Sequence, residues 1–138
     1  MSTAQIPVIP TFRYRDAPSA IDFLIKAFGF SEHMVVPDGE GGIAHAQLTF
    51  GDGRGMIMLG SARDDEWGQY VRPAKEAGVN TGGAYVIVED VDAHCEQARK
   101  AGAEIIVKPA DQDYGGRNYA CKDPEGHVWS FGSYDPLA

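Results

Sequence analysis

The sequence predicts an α+β fold made of two tandem strand–helix–strand–strand–strand units. Three observations carry that prediction. Landmark residues recur at about half the 138-residue length: Asp16 and Asp90 lie 74 apart, Gly29 and Gly102 lie 73 apart, and Leu59-Gly60 and Phe131-Gly132 lie 72 apart. In each half an extended, β-prone segment runs into an apolar stripe of helical period. Short strands joined through turn residues then follow each helix.

The elements follow in order. Thr11-Phe12-Arg13-Tyr14-Arg15-Asp16 alternates as a half-buried strand does. Ala20, Ile21, Leu24, Ile25 and Phe28 then share one helical face. Asp16 or Ser19 caps its start, and Gly29 sits where a closing glycine belongs. Strands are expected near residues 32–36, over 44–50, and over 56–60 beyond the Gly51-Asp52-Gly53 turn. The second unit opens with the β-branched and aromatic run 84–90. Val91, Cys95, Ala98 and Ala101 form a narrower helical stripe closed by Gly102. Strands near 104–108, 118–122 and 128–132 complete it, the last two joined by the Asp123-Pro124-Glu125-Gly126 turn.

One domain is therefore expected, with units over 8–60 and 83–134 and a polar linker over 61–82. The linker carries a short helix and an apolar insert of Trp67, Tyr70 and Val71, suited to a lid or to a dimer contact. A four-stranded sheet with one helix behind it keeps an open face. Two curved mixed sheets are expected to turn those faces towards each other and enclose a cleft.

Composition narrows the partners. Twelve Lys and Arg against twenty Asp and Glu leave a net charge of −8, a surface that repels phosphate backbones and anionic lipids. No nucleic acid is expected. No apolar run approaches the roughly 20 residues needed to cross a bilayer, so no membrane partner is expected either. The first ten residues lack the basic start and long apolar run of a signal peptide. Cys95 and Cys121 suggest two reduced thiols in a cytoplasmic protein rather than a disulfide framework.

The paired βαβββ units, the Asp-Ala-Pro-Ser-Ala-Ile-Asp-Phe run at 16–23 and the Asp-Pro-Glu-Gly-His-Val-Trp turn at 123–129 give the chain its resemblance. It resembles the vicinal oxygen chelate superfamily, the glyoxalase, bleomycin-resistance and extradiol dioxygenase group. The resemblance runs from about Val8 to Tyr134. It implies the two-unit fold, a small organic ligand and a homodimer. In the enzymes of that group it also implies a divalent metal acting as a Lewis acid on two neighbouring substrate oxygens. The four ligand positions carry over to Ile9, Gln47, Ala84 and Ser130. None is a carboxylate or an imidazole, the groups that hold hard and borderline cations. No metal ligand is expected among them.

Alternation then describes the cleft. With Gln47 and Ser130 inward, the same face carries His45, Thr49, Met56, Met58, Val86, Arg117, Tyr119 and Cys121. Leu48, Phe50, Ile57, Leu59, Tyr85, Ile87, Trp129 and Phe131 fall on the opposite face. Ile9, Thr11 and Arg13 line the opening strand, and the resemblance implies an anion-binding role for Arg13. The candidate ligand-binding residues are Arg13, His45, Gln47, Met58, Arg117, Tyr119 and Ser130. The expected function is metal-independent binding, sequestering or carrying a flat or amphipathic organic molecule, with no cofactor. The alternative is a metal-dependent lyase, isomerase or dioxygenase with a displaced ligand set around His45 and Gln47. A metal-free enzyme with His45 or Tyr119 as general acid or base is a third reading. Catalytic residues are left unassigned.

Overall fold

A computed structural model describes residues 5–138. The part of the N-terminal expectation that concerns Met1–Ala4 lies outside them. The chain divides into two compact units, one of residues 1–25 and 29–73, the other of 26–28 and 74–138.

The first unit holds β1 (Thr11–Tyr14), α1 (Ala17–Phe23), β2 (Ser31–Pro37), β3 (Ile43–Phe50) and β4 (Gly55–Ser61). Its strands order β1-β4-β3-β2, with β1 parallel to β4 and the remaining pairs antiparallel. Asp16 is the N-cap: its carboxylate accepts from the Ser19 amide at 3.2 Å. Pro18 in the first turn gives up an amide that a helix start leaves unpaired. α1 runs on as a π-helical turn, Leu24–Phe28, closed by Gly29 in the left-handed region. Ala46, Leu48, Ile57 and Leu59 are buried on one face of the sheet, and α1 packs against its β1 and β4.

Trp67–Gln69 forms a single 3-10 turn after β4, with Trp67 and Tyr70 exposed. α2 (Ala74–Ala77) opens the main run of the second unit. Then come β5 (Ala84–Ile87), α3 (Val91–Lys100), β6 (Glu104–Asp111), β7 (Arg117–Lys122) and β8 (Val128–Gly132). The order β5-β8-β7-β6, with β5 parallel to β8, repeats the first sheet. Asp90 caps α3 by accepting from the Ala93 amide at 3.0 Å. The fold is α+β, with two repeated βαβββ units. β5 stops at Ile87, short of the expected 90, because Asp90 is taken as a cap. Ala101 is likewise the exposed C-cap of α3 rather than part of its buried stripe.

The second core has an unexpected member. Phe28, read from sequence as part of the first helical face, belongs to this unit. Its ring lies 5.3 Å from Trp129 and 4.7 Å from Phe131, and all three are fully buried. Beneath them the hairpin turn is tied by one carboxylate. Asp123 is 4% exposed, and its Oδ1 accepts from the amides of Glu125 and His127 at 3.0 Å each. Its Oδ2 accepts from Trp129 Nε1 at 3.0 Å. A buried donor that loses its acceptor bears the full cost of desolvation. Asp123→Ala strands two such donors, the His127 amide and the Trp129 indole, with the part-buried Glu125 amide as a third, and should cost about 3 kcal/mol or more of unfolding free energy. Asp123→Asn, which keeps one oxygen for the turn, should cost less. Denaturant unfolding of both variants checks the order, and equal losses would contradict it.

Candidate functional site

Pairing register decides which side chains share the open face of the first sheet. Gln47 stands opposite Met58, Thr49 opposite Met56, and Thr11 beside Met58 in the parallel pair. Arg13 lies beside Gly60, where any Cβ would collide with its guanidinium. The face opposite buried Ala46, Leu48, Ile57 and Leu59 therefore carries Arg13, His45, Gln47, Thr49, Met56 and Met58. Apart from exposed Thr11, these side chains are half-buried, between solvent and core. Four predicted site residues, Arg13, His45, Gln47 and Met58, are brought together here.

Gln47 joins two imidazoles. Its Oε1 accepts from His45 Nε2 at 2.9 Å, and its Nε2 donates to His33 Nδ1 at 2.9 Å. With the carboxamide in that orientation, His45 carries a proton on Nε2 and His33 presents the lone pair of Nδ1. His33 is a residue the sequence did not single out. A bulge between Glu32 and Met34 breaks the alternation of β2 and turns His33 towards Gln47. Nothing in the local pattern signals that bulge. No Asp or Glu occupies the paired positions of this face on β1, β3 or β4.

The second sheet corrects half of the expected inward set. Ala120 stands opposite Ser130 and Asn118 opposite Gly132, so Ser130 shares its face with Asn118, Ala120 and Lys122. Arg117, Tyr119 and Cys121 lie on the other face, with Trp129 and Phe131. In β5, Tyr85 pairs with Ser130 and Val86 with Phe131, the reverse of the expectation. Tyr85 reads as core by size, yet it is 43% exposed and its hydroxyl donates to the Tyr134 carbonyl at 2.8 Å. Gly132 makes room for it, since a Cβ there would stand 2.7 Å from that hydroxyl. Ala84 pairs with Trp129 and so misses the Ser130 face. Tyr85 and Ile87 are the β5 residues on that face.

Arg117 is held by acids. Its guanidinium donates to Asp92 at 3.0–3.3 Å and to Asp111 at 3.3 Å, which keeps its pKa above the usual value. Tyr119 is 1% exposed and lies under α3. The Phe28 carbonyl can only accept, so His94 donates to it from Nε2 at 2.8 Å. His94 Nδ1 is then free to accept from the Tyr119 hydroxyl at 2.6 Å. Burial holds the His94 pKa below its ordinary value and raises that of Tyr119. Burial also pushes the Cys121 thiol up to about 12, with the Asp123 charge as a smaller cause. Cys121 is therefore a poor nucleophile. Cys95 is buried too, and both cysteines are free.

The donor chemistry does not fit a catalytic divalent cation. Of the four positions, Ile9 offers no donor, and Ala84 offers none and faces the wrong side. Ser130 is neutral, and Gln47 spends its carboxamide on two histidines. Among the described residues no three His, Cys, Asp or Glu side chains converge to hold a metal.

Comparison with known proteins agrees with this architecture. The model of the Glyoxalase/Bleomycin resistance protein/Dioxygenase superfamily matches residues 8–131. The chain belongs to that superfamily. It is 35% identical over 117 residues to the uncharacterized protein Mb0911c of Mycobacterium bovis, covering 85% of this chain and 76% of that one. The crystal structure of TioX from Micromonospora sp. ML1 matches with a TM-score of 0.67 and 30% identity, covering 91% and 95% of the two chains. TnmS3, an antibiotic binding protein from Streptomyces sp. CB03234, matches with a TM-score of 0.68 and 20% identity over 95% and 94%. That last likeness is one of fold. No helix among the described residues is long and apolar enough to cross a membrane.

His94 generates a pH prediction. The unfolded chain's imidazole takes a proton at about pH 6.5, before the folded chain's does. The stability contributed by neutral His94 is thus whole above that pH and declines as pH falls through it. His94→Leu should lose stability at pH 8 but depend less on pH, so the gap to the unsubstituted protein narrows on acidification. Denaturant midpoints between pH 8 and pH 5 measure this, and parallel curves would contradict it.

Proposed function

We propose that the protein is a metal-independent small-molecule binding protein whose ligand lies on the open face of the first sheet. One observation carries the reading: the imidazoles of His33 and His45 are bridged by Gln47 beside Met56, Met58 and Arg13. Directional polar groups set among flexible apolar side chains suit a ligand that is partly flat and partly polar. His45 and Gln47 would orient it, and the two methionines would adapt to its apolar body. The fold likeness to TnmS3, described as antibiotic binding, supports this ligand class.

Ser130 lies on the open face of the second sheet, available to a ligand there. Arg117 and Tyr119 are not, because acids and His94 respectively engage them on the helix side. A homodimer is part of the proposal, with exposed Trp67 and Tyr70 available to an interface.

A thermal-shift panel of flat polycyclic antibiotics and quinones tests the reading. For the compound that raises the melting temperature most, His45→Ala and Gln47→Leu should each weaken binding about tenfold, the equivalent of one good polar contact. Met58→Lys should weaken it at least as much. Unchanged affinity in all three variants would remove the first sheet's face as the site.

A further inference from the structure

A cavity lies wholly within the second unit. It has a volume of about 610 Å³ and is bounded by α2, the segment after it and the β7–β8 turn. Its size is that of a small-molecule site. Three hydrogen bonds hold its walls in place. The Lys75 amide donates to the Glu125 carbonyl at 2.9 Å. Asn80 Nδ2 donates to the Gly126 carbonyl at 2.7 Å, while Asn80 Oδ1 accepts from the Val128 amide at 3.2 Å. Gly126 permits this closeness: its φ is +87°, and a Cβ would stand 2.8 Å from the Lys75 nitrogen. The cavity is preformed.

Its chemistry is that of an anion receptor with an apolar wall. Lys75 and Lys122 reach it from different elements, and neither belongs to an ion pair among the described residues. Val79, which is 64% exposed, lines it together with Pro124 and Val128. Two acids line it as well. Asp123 is buried and its oxygens are engaged by two amides and the Trp129 indole, so its charge is directed into the turn. Glu104 stands across the strand pair from Lys122 and is the one solvent-facing acid of the lining. The accessible groups are thus two ammoniums and one carboxylate, a cationic excess on a chain of net charge −8.

We propose that this cavity binds a small organic anion, its acid group between Lys75 and Lys122 and its apolar body against Val79, Pro124 and Val128. The site is separate from the face of the first sheet and stands or falls independently of it.

A pair of dyes with one apolar skeleton tests the proposal: anilinonaphthalene sulfonate and its neutral analogue phenylnaphthylamine. Fluorescence titration of the full chain should find the sulfonate bound about tenfold more tightly, a preference that salt weakens. Amide shifts should gather at Val79, Asn80, Lys122 and Val128. The double variant Lys75→Gln/Lys122→Gln should lose the preference while keeping its melting temperature, and Glu104→Gln should strengthen it. Equal affinity for the two dyes, an unaltered preference in the double variant, no binding, or shifts confined to the strand bearing His45 and Gln47 would each overturn the proposal.

Discussion

In the first unit β4 is hydrogen-bonded on both sides, to β1 in parallel and to β3 in antiparallel, and Met58 and Leu59 are paired in both registers. Because side chains alternate along each strand, those two rows fix the rest. Slipping β3 by a residue would send Leu48 into solvent and bury His45 and Gln47, and slipping β4 would expose Ile57 and Leu59. Burying three large aliphatic side chains is worth about 1.5–3 kcal/mol each, so the register is strongly held. The proposed binding face is the by-product of that constraint. Its polar groups are where they are because the apolar groups between them must be inside.

The second sheet follows the same rule with a different filling. Its helix side is aromatic, with Phe28, Tyr119, Trp129 and Phe131 buried together, and His94 supplies the acceptor that Tyr119 requires. A buried hydroxyl without a partner is costly, which explains why a histidine sits on the inner edge of α3. The open side instead carries Tyr85, Asn118, Ala120, Lys122 and Ser130. The superfamily's metal-ligand positions therefore meet Gln47 on one sheet and Ser130 on the other, both neutral. Hard cations are held by carboxylates and imidazoles, and neither of these two side chains is one.

Much of this was legible in the sequence. The repeat, the cap Asp16, the strands and the helix-facing set of the first sheet all follow from period and turn chemistry. So does the gathering of Arg13, His45, Gln47 and Met58. What was not legible has physical causes. His33 joins the site through a bulge, which no alternation rule anticipates. Tyr119 and Tyr85 lie on the faces opposite those that alternation assigns them, because His94 holds the Tyr119 hydroxyl on the helix side and Gly132 leaves space for Tyr85 on the open side. Phe28 joins the second core although it ends the first helix, because the π turn and Gly29 end the helix just beyond it. The inward set of β7 lies one residue away from the expected one, because Ala120, not Tyr119 or Cys121, pairs with Ser130.

Metal independence is the central proposal, and a calorimetric titration of the metal-free protein with Ni, Zn, Mn and Fe(II) tests it most directly. The lining chemistry requires no saturable binding in the micromolar range, and no difference between the protein and its His45→Ala variant. Micromolar or tighter binding that disappears in His45→Ala would contradict it, and would mean that His33, His45 and Gln47 had rebuilt a cation site by giving up their mutual hydrogen bonds.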